Sequence, residues 1–528
     1  MILRDSLFKH QSGKLQRKTR SFDVWRYRAV LAVLLLGVSA GAVRAESLTA
    51  GVVVLSSART RVKILGERTL ATRVWSFRNV YAGAMNLGER IENLELADAA
   101  GVAVPVRRLA PGEYEAASAA TRFSYEMNLD APLFETDAAH VSWLTNERGF
   151  LMMGDLLPLA VGEKGLTKTS ATLRFSLPPN WTIATTERAG GANWFEVADA
   201  ENALFFVGEN LREKRQRVGA MEFAYVTAGE WAFSDEEVAD LAASILKDHV
   251  QTFGGIAQGR TMLMLAPFPR PAAADHWSAE TRGATVLLLA GKSPSKTAAL
   301  AQLSYPLAHE LFHLWIPNGL ALDGDYDWFY EGFTLYQALR AAVRLNLLTF
   351  QDYLNALGRA FDAYKSAQGR EQLSLLEASK QRWTLSPALV YNKGMLAAFL
   401  YDLGLRQKTK GKRSLDDVYR ELFRQSNASQ GRRDGNQTAL AALNNAGEMQ
   451  DVTRLYIESA SVIDLPTAIA PFGLRLETGS VRTRIAVADS LSGAQRDLLR
   501  KFGYNEKLDG THRRIARPRA NNFRSETN

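Results

Sequence analysis

Residues 309–313 read His-Glu-Leu-Phe-His, and a pair of histidines at this spacing calls for a helix. Positions four apart on a helix lie one above the other, so both imidazoles can reach one ion. Glu310 falls one step further round, where its carboxylate can touch a water on that ion rather than the ion itself. Leu307, Leu311 and Leu314 give the helix a buried side; Ser304 and Pro306 suit its start, and Pro317 and Gly319 its end. With 7 histidines and 56 acidic residues among 528, chance places this pattern in such a chain about 0.01 times. The bland alternative is two structural histidines on one helix.

Two histidines leave a catalytic zinc short of a ligand, because such sites use three protein ligands and keep a fourth position open. The third is expected from Asp327-Trp328-Phe329-Tyr330-Glu331-Gly332. The turn-rich residues 317–325 reverse the chain, and Asp327 can cap a second helix. Glu331, 18 positions after His313, then stands near the first turn of that helix. The candidate ligands of a Zn2+ cofactor are therefore His309, His313 and Glu331, with Glu310 as the base.

The chain has no cysteine. This removes thiolate metal sites, cysteine nucleophiles and any disulfide framework, and leaves histidine, carboxylate and hydroxyl chemistry. A composition of 46% apolar and 23% charged residues is that of a globular protein long enough for more than one domain. The net charge of +8 is mostly local, since residues 1–45 hold nine basic and two acidic residues. Within them, Arg26 and Arg28 precede an apolar run from Ala29 to Val43, short for a membrane span, and Val43-Arg44-Ala45 suits a signal peptidase. Cleavage after Ala45 and a periplasmic or extracellular location are expected, with an uncleaved membrane anchor as the alternative. The basic tail around Arg513–Arg519 is expected to be solvated, so no nucleic-acid partner is expected.

The texture of the chain changes once. Residues 46–230 carry short β-branched and aromatic runs such as Leu48–Leu55 and Thr72–Tyr81, separated by Gly, Pro, Asn and Asp, which suggests an antiparallel β-sandwich-like domain. Residues 231–465 open with helical spacing in Asp235–Phe253, pass through strand-like Thr261–Leu265 and Ala284–Ala290, and are nearly all helical beyond Lys296. Residues 466–528 read as a small appendage ending in a polar tail.

The order His309–His313, then Glu331-Gly332-Phe333-Thr334, resembles the gluzincins and, more closely, the glycyl aminopeptidase family M61, which is related to the M1 aminopeptidases. The similarity runs through Ser374-Leu375, Ala378-Ser379, Trp383 and Tyr391-Asn392-Lys393-Gly394 to Asp402-Leu403, Arg406, Thr409 and Ser414–Asp417. It implies a multidomain protein whose β-rich N-terminal part precedes a mainly α-helical, thermolysin-like zinc peptidase domain. It also implies that Tyr391 hydrogen-bonds the oxyanion of a tetrahedral intermediate; a buried structural tyrosine is the alternative. The stretch from His313 to Glu331 is shorter than the family's and Trp315-Ile316-Pro317-Asn318 interrupts its Trp-Asn pair, so a reshaped substrate-side loop is expected. The family commonly carries a PDZ domain after the catalytic part, for which residues 466–528 leave little room.

Gly83-Ala84-Met85-Asn86 echoes an M1 exopeptidase signature but lies far from the zinc helix and lacks its glutamate, and is set aside as coincidence. Glu280, just before the strand Ala284–Ala290, is a candidate to pair with a substrate's free amino terminus at a strand that lines the cleft; an exposed loop glutamate is the plainer reading. The expected activity is zinc-dependent hydrolysis of peptide or protein substrates, as an aminopeptidase. Its rivals are an exported endopeptidase, a non-catalytic binding or assembly protein on the same fold, and zinc hydrolysis of another bond.

Overall fold

A computed structural model describes residues 46–505 except 160, 163–164, 167–168, 385, 429–430, 446 and 478–481. The expected signal segment and the basic tail lie outside the described residues. Two 16-residue antiparallel strands, Arg61–Ser76 and Glu113–Asn128, form the spine of a nine-stranded sheet. Beside them runs Ser47–Val54, which turns Leu48, Ala50, Val52 and Val54 inward at every second position. Pairing is antiparallel throughout this sheet except where Ser47–Val54 lies parallel to Ser170–Ser176.

A four-stranded sheet containing Arg148–Met152 and Leu204–Gly208 forms a middle layer. Alternation splits its side chains between two cores. Leu151, Phe205 and Val207 pack with the nine-stranded sheet, whereas Phe150, Met152, Leu204 and Phe206 pack on a third sheet through Met262, Met264, Leu287 and Leu289. Burial on both faces explains why Leu204-Phe205-Phe206-Val207 is continuously apolar.

The third sheet has five strands in the order Arg212–Val218, Met221–Thr227, Arg260–Pro267, Thr285–Ala290 and Trp277–Arg282. Its middle pairs are parallel and its two outer pairs antiparallel. Two of its strands precede residue 231, so the sheet straddles the boundary drawn from the sequence. Its other face, including Phe223, Tyr225, Leu263, Leu265, Val286 and Leu288, is covered by the helices. The β-rich part and the helical part thus meet through a shared sheet.

Among the helices, Asp235–Phe253 begins at a capping box between Ser234 and Glu237. The helix bearing the histidines is longer than the sequence suggests. It starts at Lys296, capped by Ser295, and Pro306 lies inside it. Ser304 is no cap: its hydroxyl donates to the Leu300 carbonyl 2.8 Å away. The described part of the segment read as a small appendage packs on the helical core. Leu465, Ile469, Phe472, Leu474, Ile485, Leu499 and Phe502 join the helical core, and Arg340 donates to the carbonyls of Lys501 and Phe502. No helix among the described residues is long and apolar enough to cross a membrane.

Candidate metal centre

His309 is the penultimate residue of helix Lys296–Glu310, and His313 follows in a tighter turn, Leu311–Leu314, that continues it. The two Nε2 atoms face each other at 3.0 Å. Glu331 comes from a wide, π-type turn, Trp328–Phe333, that leads into helix Thr334–Arg344. Its Oε2 lies 3.3 Å from His309 Nε2 and 3.6 Å from His313 Nε2. Three ligands at zinc bond lengths around a tetrahedral ion stand roughly 3.3–3.5 Å apart, so this triangle fits one ion at its centre. His313 Nδ1 is 2.8 Å from the Ile316 carbonyl, which holds the proton there and leaves Nε2 free to ligate. All four residues of the centre are buried, at 6–7% exposure.

Asp327 does not cap this turn through its side chain. Its carboxylate instead meets Arg382 Nη1 at 2.8 Å and accepts from the Tyr330 hydroxyl at 2.7 Å. Arg382 Nη2 also reaches Glu331 Oε1 at 2.8 Å and donates to the Tyr391 hydroxyl. Tyr391 stands on a second wide turn, Leu389–Lys393. The two turns touch backbone to backbone, because a Cβ on Gly332 would lie 2.5 Å from the Val390 carbonyl oxygen and 2.7 Å from Gly394 Cα. That contact is the physical content of the Glu-Gly and Lys-Gly pairs. Ser379 adds a further tie, accepting from the Trp328 backbone N–H at 3.0 Å.

Charges in the centre compensate one another. Burial opposes ionisation of Glu331, but Arg382 and the two histidines outweigh it and hold the carboxyl well below the ordinary carboxylate range. Burial likewise disfavours the His313 cation, yet Glu331 and Glu310 push it up to about 9, so a metal taking Nε2 would displace a proton there. Burial raises the Tyr391 hydroxyl, which stays protonated and able to donate.

Glu310 presents its carboxylate beside the two rings; donor atoms of His309, Glu310 and His313 all lie within 4.8 Å of one another. Thr281 Oγ1 sits 2.7 Å from Glu310 Oε2 and 3.0 Å from the Glu310 carbonyl oxygen. Thr281 belongs to the edge strand Trp277–Arg282 of the five-stranded sheet. Neither Thr281 nor Arg382 carries a motif signal of its own.

Glu280 departs from the expected exposed loop. It is a residue of that same edge strand, which precedes the one anticipated at Ala284–Ala290, and its side chain is 16% exposed. Strand alternation turns it away from Thr281, toward the Tyr81 hydroxyl at 2.7 Å and the His140 ring. Burial raises its pKa, but His140, Arg282 and Tyr81 prevail and hold it below the ordinary glutamate range. Gly83–Asn86 lies in a turn closed by Tyr81 and Ala84, with Gly83 and Asn86 left-handed, and is not part of the edge strand.

Residues 83–203 match the peptidase M61 N-terminal domain, and residues 321–397 match the M61 glycyl aminopeptidase. The second match contains Glu331, Arg382 and Tyr391 and begins after the two histidines. A comparison with curated proteins finds no match. Among solved structures, the chain is similar to an aminopeptidase N family protein from Idiomarina loihiensis, at TM-score 0.69 and 17% identity over 82% of this chain and 81% of that one. It is also similar to an M1 zinc metallopeptidase from Deinococcus radiodurans, at TM-score 0.51 and 14% identity over 80% and 95% of the two chains. A mutant of the latter bound to a Tyr-Ser-Ala substrate gives TM-score 0.50 at 14% identity over 80% and 96%. These likenesses are of fold. Alongside them, two stretches of the chain match, in order, the N-terminal domain and the glycyl aminopeptidase domain of the M61 peptidases.

Proposed function

We propose that the chain is a zinc-dependent peptidase in which His309, His313 and Glu331 hold the metal and Glu310 is the general base. The observation that carries this reading is the triangle of Nε2, Nε2 and Oε2 atoms with sides of 3.0, 3.3 and 3.6 Å. When bound there, zinc supplies a Lewis acid and makes water acidic enough to attack a peptide carbonyl near neutral pH. The Glu310 carboxylate accepts the proton of that water and returns it to the leaving amine. Thr281 aims Glu310 by occupying one face of the carboxylate. Tyr391, protonated and accepting from Arg382, donates to the developing oxyanion. The substrates are peptides or proteins, laid along the edge strand Trp277–Arg282 by backbone pairing.

We further infer an aminopeptidase, with Glu280 as the group that meets the substrate's amino terminus. In support, Glu280 is an ionised, half-sheltered carboxylate one residue from Thr281. A specific observation favours the endopeptidase alternative: Tyr81 and His140 already engage both Glu280 oxygens, and Arg282 Nε stands 3.9 Å away. Peptides offered with free and with acetylated amino termini decide between the two. Cleavage confined to free termini supports the aminopeptidase, and equal cleavage of both removes it. Metal analysis of purified protein with a peptidase assay tests the reading as a whole; protein that takes up no zinc ends it. Export through the segment before Glu46 is part of the proposal, and fractionation of cells expressing the full chain checks it.

A further inference from the structure

Arg382 follows the short helix Leu375–Lys380 by two residues and is buried. Its guanidinium lies over the Trp383 ring at 4.2 Å, with the Tyr391 and Tyr330 rings at 5.1 and 5.7 Å. Its two terminal nitrogens serve four groups. Nη1 donates to Asp327 Oδ1 at 2.8 Å and to the Tyr330 hydroxyl at 3.0 Å; Nη2 reaches Glu331 Oε1 at 2.8 Å and the Tyr391 hydroxyl.

The direction of these bonds matters more than their number. An arginine has no acceptor, so both tyrosine oxygens must accept from it. Tyr330 spends its own proton on Asp327. Tyr391 accepts from Arg382 and keeps its proton for another partner. The same nitrogen takes Glu331 Oε1, and this leaves Oε2 as the oxygen turned to the two histidines. A planar fork with fixed donor directions can do this at four points at once; a lysine ammonium cannot.

We propose that Arg382 is the positioning residue of the centre, presenting Glu331 to the metal through one oxygen and turning the Tyr391 proton toward the substrate carbonyl. The inference rests on the zinc peptidase reading and adds to it a link between third ligand and oxyanion donor. It makes metal affinity and turnover depend on one side chain that touches neither metal nor substrate.

Zinc affinity, measured by competition with a chromophoric chelator, and kcat and KM at saturating zinc are the readouts. Arg382→Ala is expected to lower zinc affinity and kcat by about 10–100-fold each, the usual effect of removing an outer-shell partner, with KM within about twofold. Arg382→Lys retains a charge beside Glu331 and is expected to recover most of the zinc affinity, while kcat stays low because Tyr391 is no longer aimed. In a Tyr391→Phe background, Arg382→Lys should cost little further kcat. Added guanidinium ion should restore part of the kcat of Arg382→Ala, which a purely structural loss would not allow. Should Arg382→Ala fail to fold, Arg382→Lys decides. An Arg382→Lys protein equal to wild type in kcat, or one altered only in KM, overturns the proposal. Wild-type protein that binds no zinc faults the underlying reading instead, so the two failures are told apart.

Discussion

Gly332 and Gly394 meet backbone to backbone: a Cβ on the first would stand 2.7 Å from the Cα of the second, and one on the second 2.9 Å from the Cα of the first. Each glycine follows closely on a residue of the candidate centre, Glu331 in one wide turn and Tyr391 in the other. The close approach of the two turns sets the distance across the centre. A methyl group on either side must push the turns apart.

Gly332→Ala is therefore expected to cost about 1–3 kcal/mol of stability, the range for overpacking a tight contact. It should weaken zinc binding as well, because Glu331 moves with its turn. Denaturant unfolding and chelator competition on the same preparation check both effects. Unchanged stability and affinity would show that the turns yield freely and that the contact is incidental.

Glu310→Gln is expected to keep zinc and lose about 10²–10⁴-fold in kcat, since it removes the proton acceptor and spares the ligands. Thr281→Val, which removes the hydroxyl 2.7 Å from Glu310 Oε2, should lose about tenfold by leaving that carboxylate unaimed. Steady-state kinetics on zinc-loaded protein measure both. A Glu310→Gln enzyme with near wild-type turnover would falsify the assignment of the base.

Lys393 is fully buried, its Nζ 3.3 Å from the Ser459 carbonyl, and desolvation lowers its pKa to about 8 from an ordinary 10.5. Below pH 8 the folded protein must carry this charge in the core. Between about pH 8 and 10.5 the unfolded chain holds a proton that the folded one has lost, so stability attributable to Lys393 rises with pH there. Lys393→Met is expected to be more stable than wild type at pH 7, by about 2–3 kcal/mol, and the gap should close toward pH 10.5. Unfolding curves at several pH values for the two proteins, compared as a difference, carry the test; a gap that does not narrow with pH rules the account out.

Zinc should stabilise the fold by mass action, since the unfolded chain lacks the converged site. At a free concentration about 100 times the dissociation constant the gain is about 2.7 kcal/mol. Thermal melts with zinc and with chelator should differ in wild type and coincide in His309→Ala. A zinc-dependent shift that survives His309→Ala would place the metal elsewhere.

The chemistry that lies within one stretch of chain was legible. His309, Glu310 and His313 share a helical turn, so their spacing alone set them on one face. Glu331 and Tyr391 were legible from their order behind that turn and from resemblance. Ser304 and Pro306 misled because a proline ordinarily marks a helix start, while here the chain tolerates one in the eleventh position of a helix begun at Lys296. Glu280 was seen as a candidate, but its setting was not. A strand places neighbours on opposite faces, so Thr281 meets Glu310 and Glu280 meets Tyr81 and His140, residues 199 and 140 positions away.

Local chemistry was readable from the residues alone: which side chains are able to ligate, which are able to take a proton, and the passage from strands to helices. Periodicity and spacing act over a few residues, and these features need no more. Tertiary structure alone decided the three-sheet layering, because a continuously apolar run such as Leu204–Val207 calls for cover on both faces without saying which sheets supply it. It alone placed Arg382 between Glu331, Asp327, Tyr330 and Tyr391. A lone arginine in sequence is ordinarily a solvated surface cation, and only the closure of two other chain segments, Asp327–Glu331 and the turn bearing Tyr391, around it makes it the shared donor of the centre.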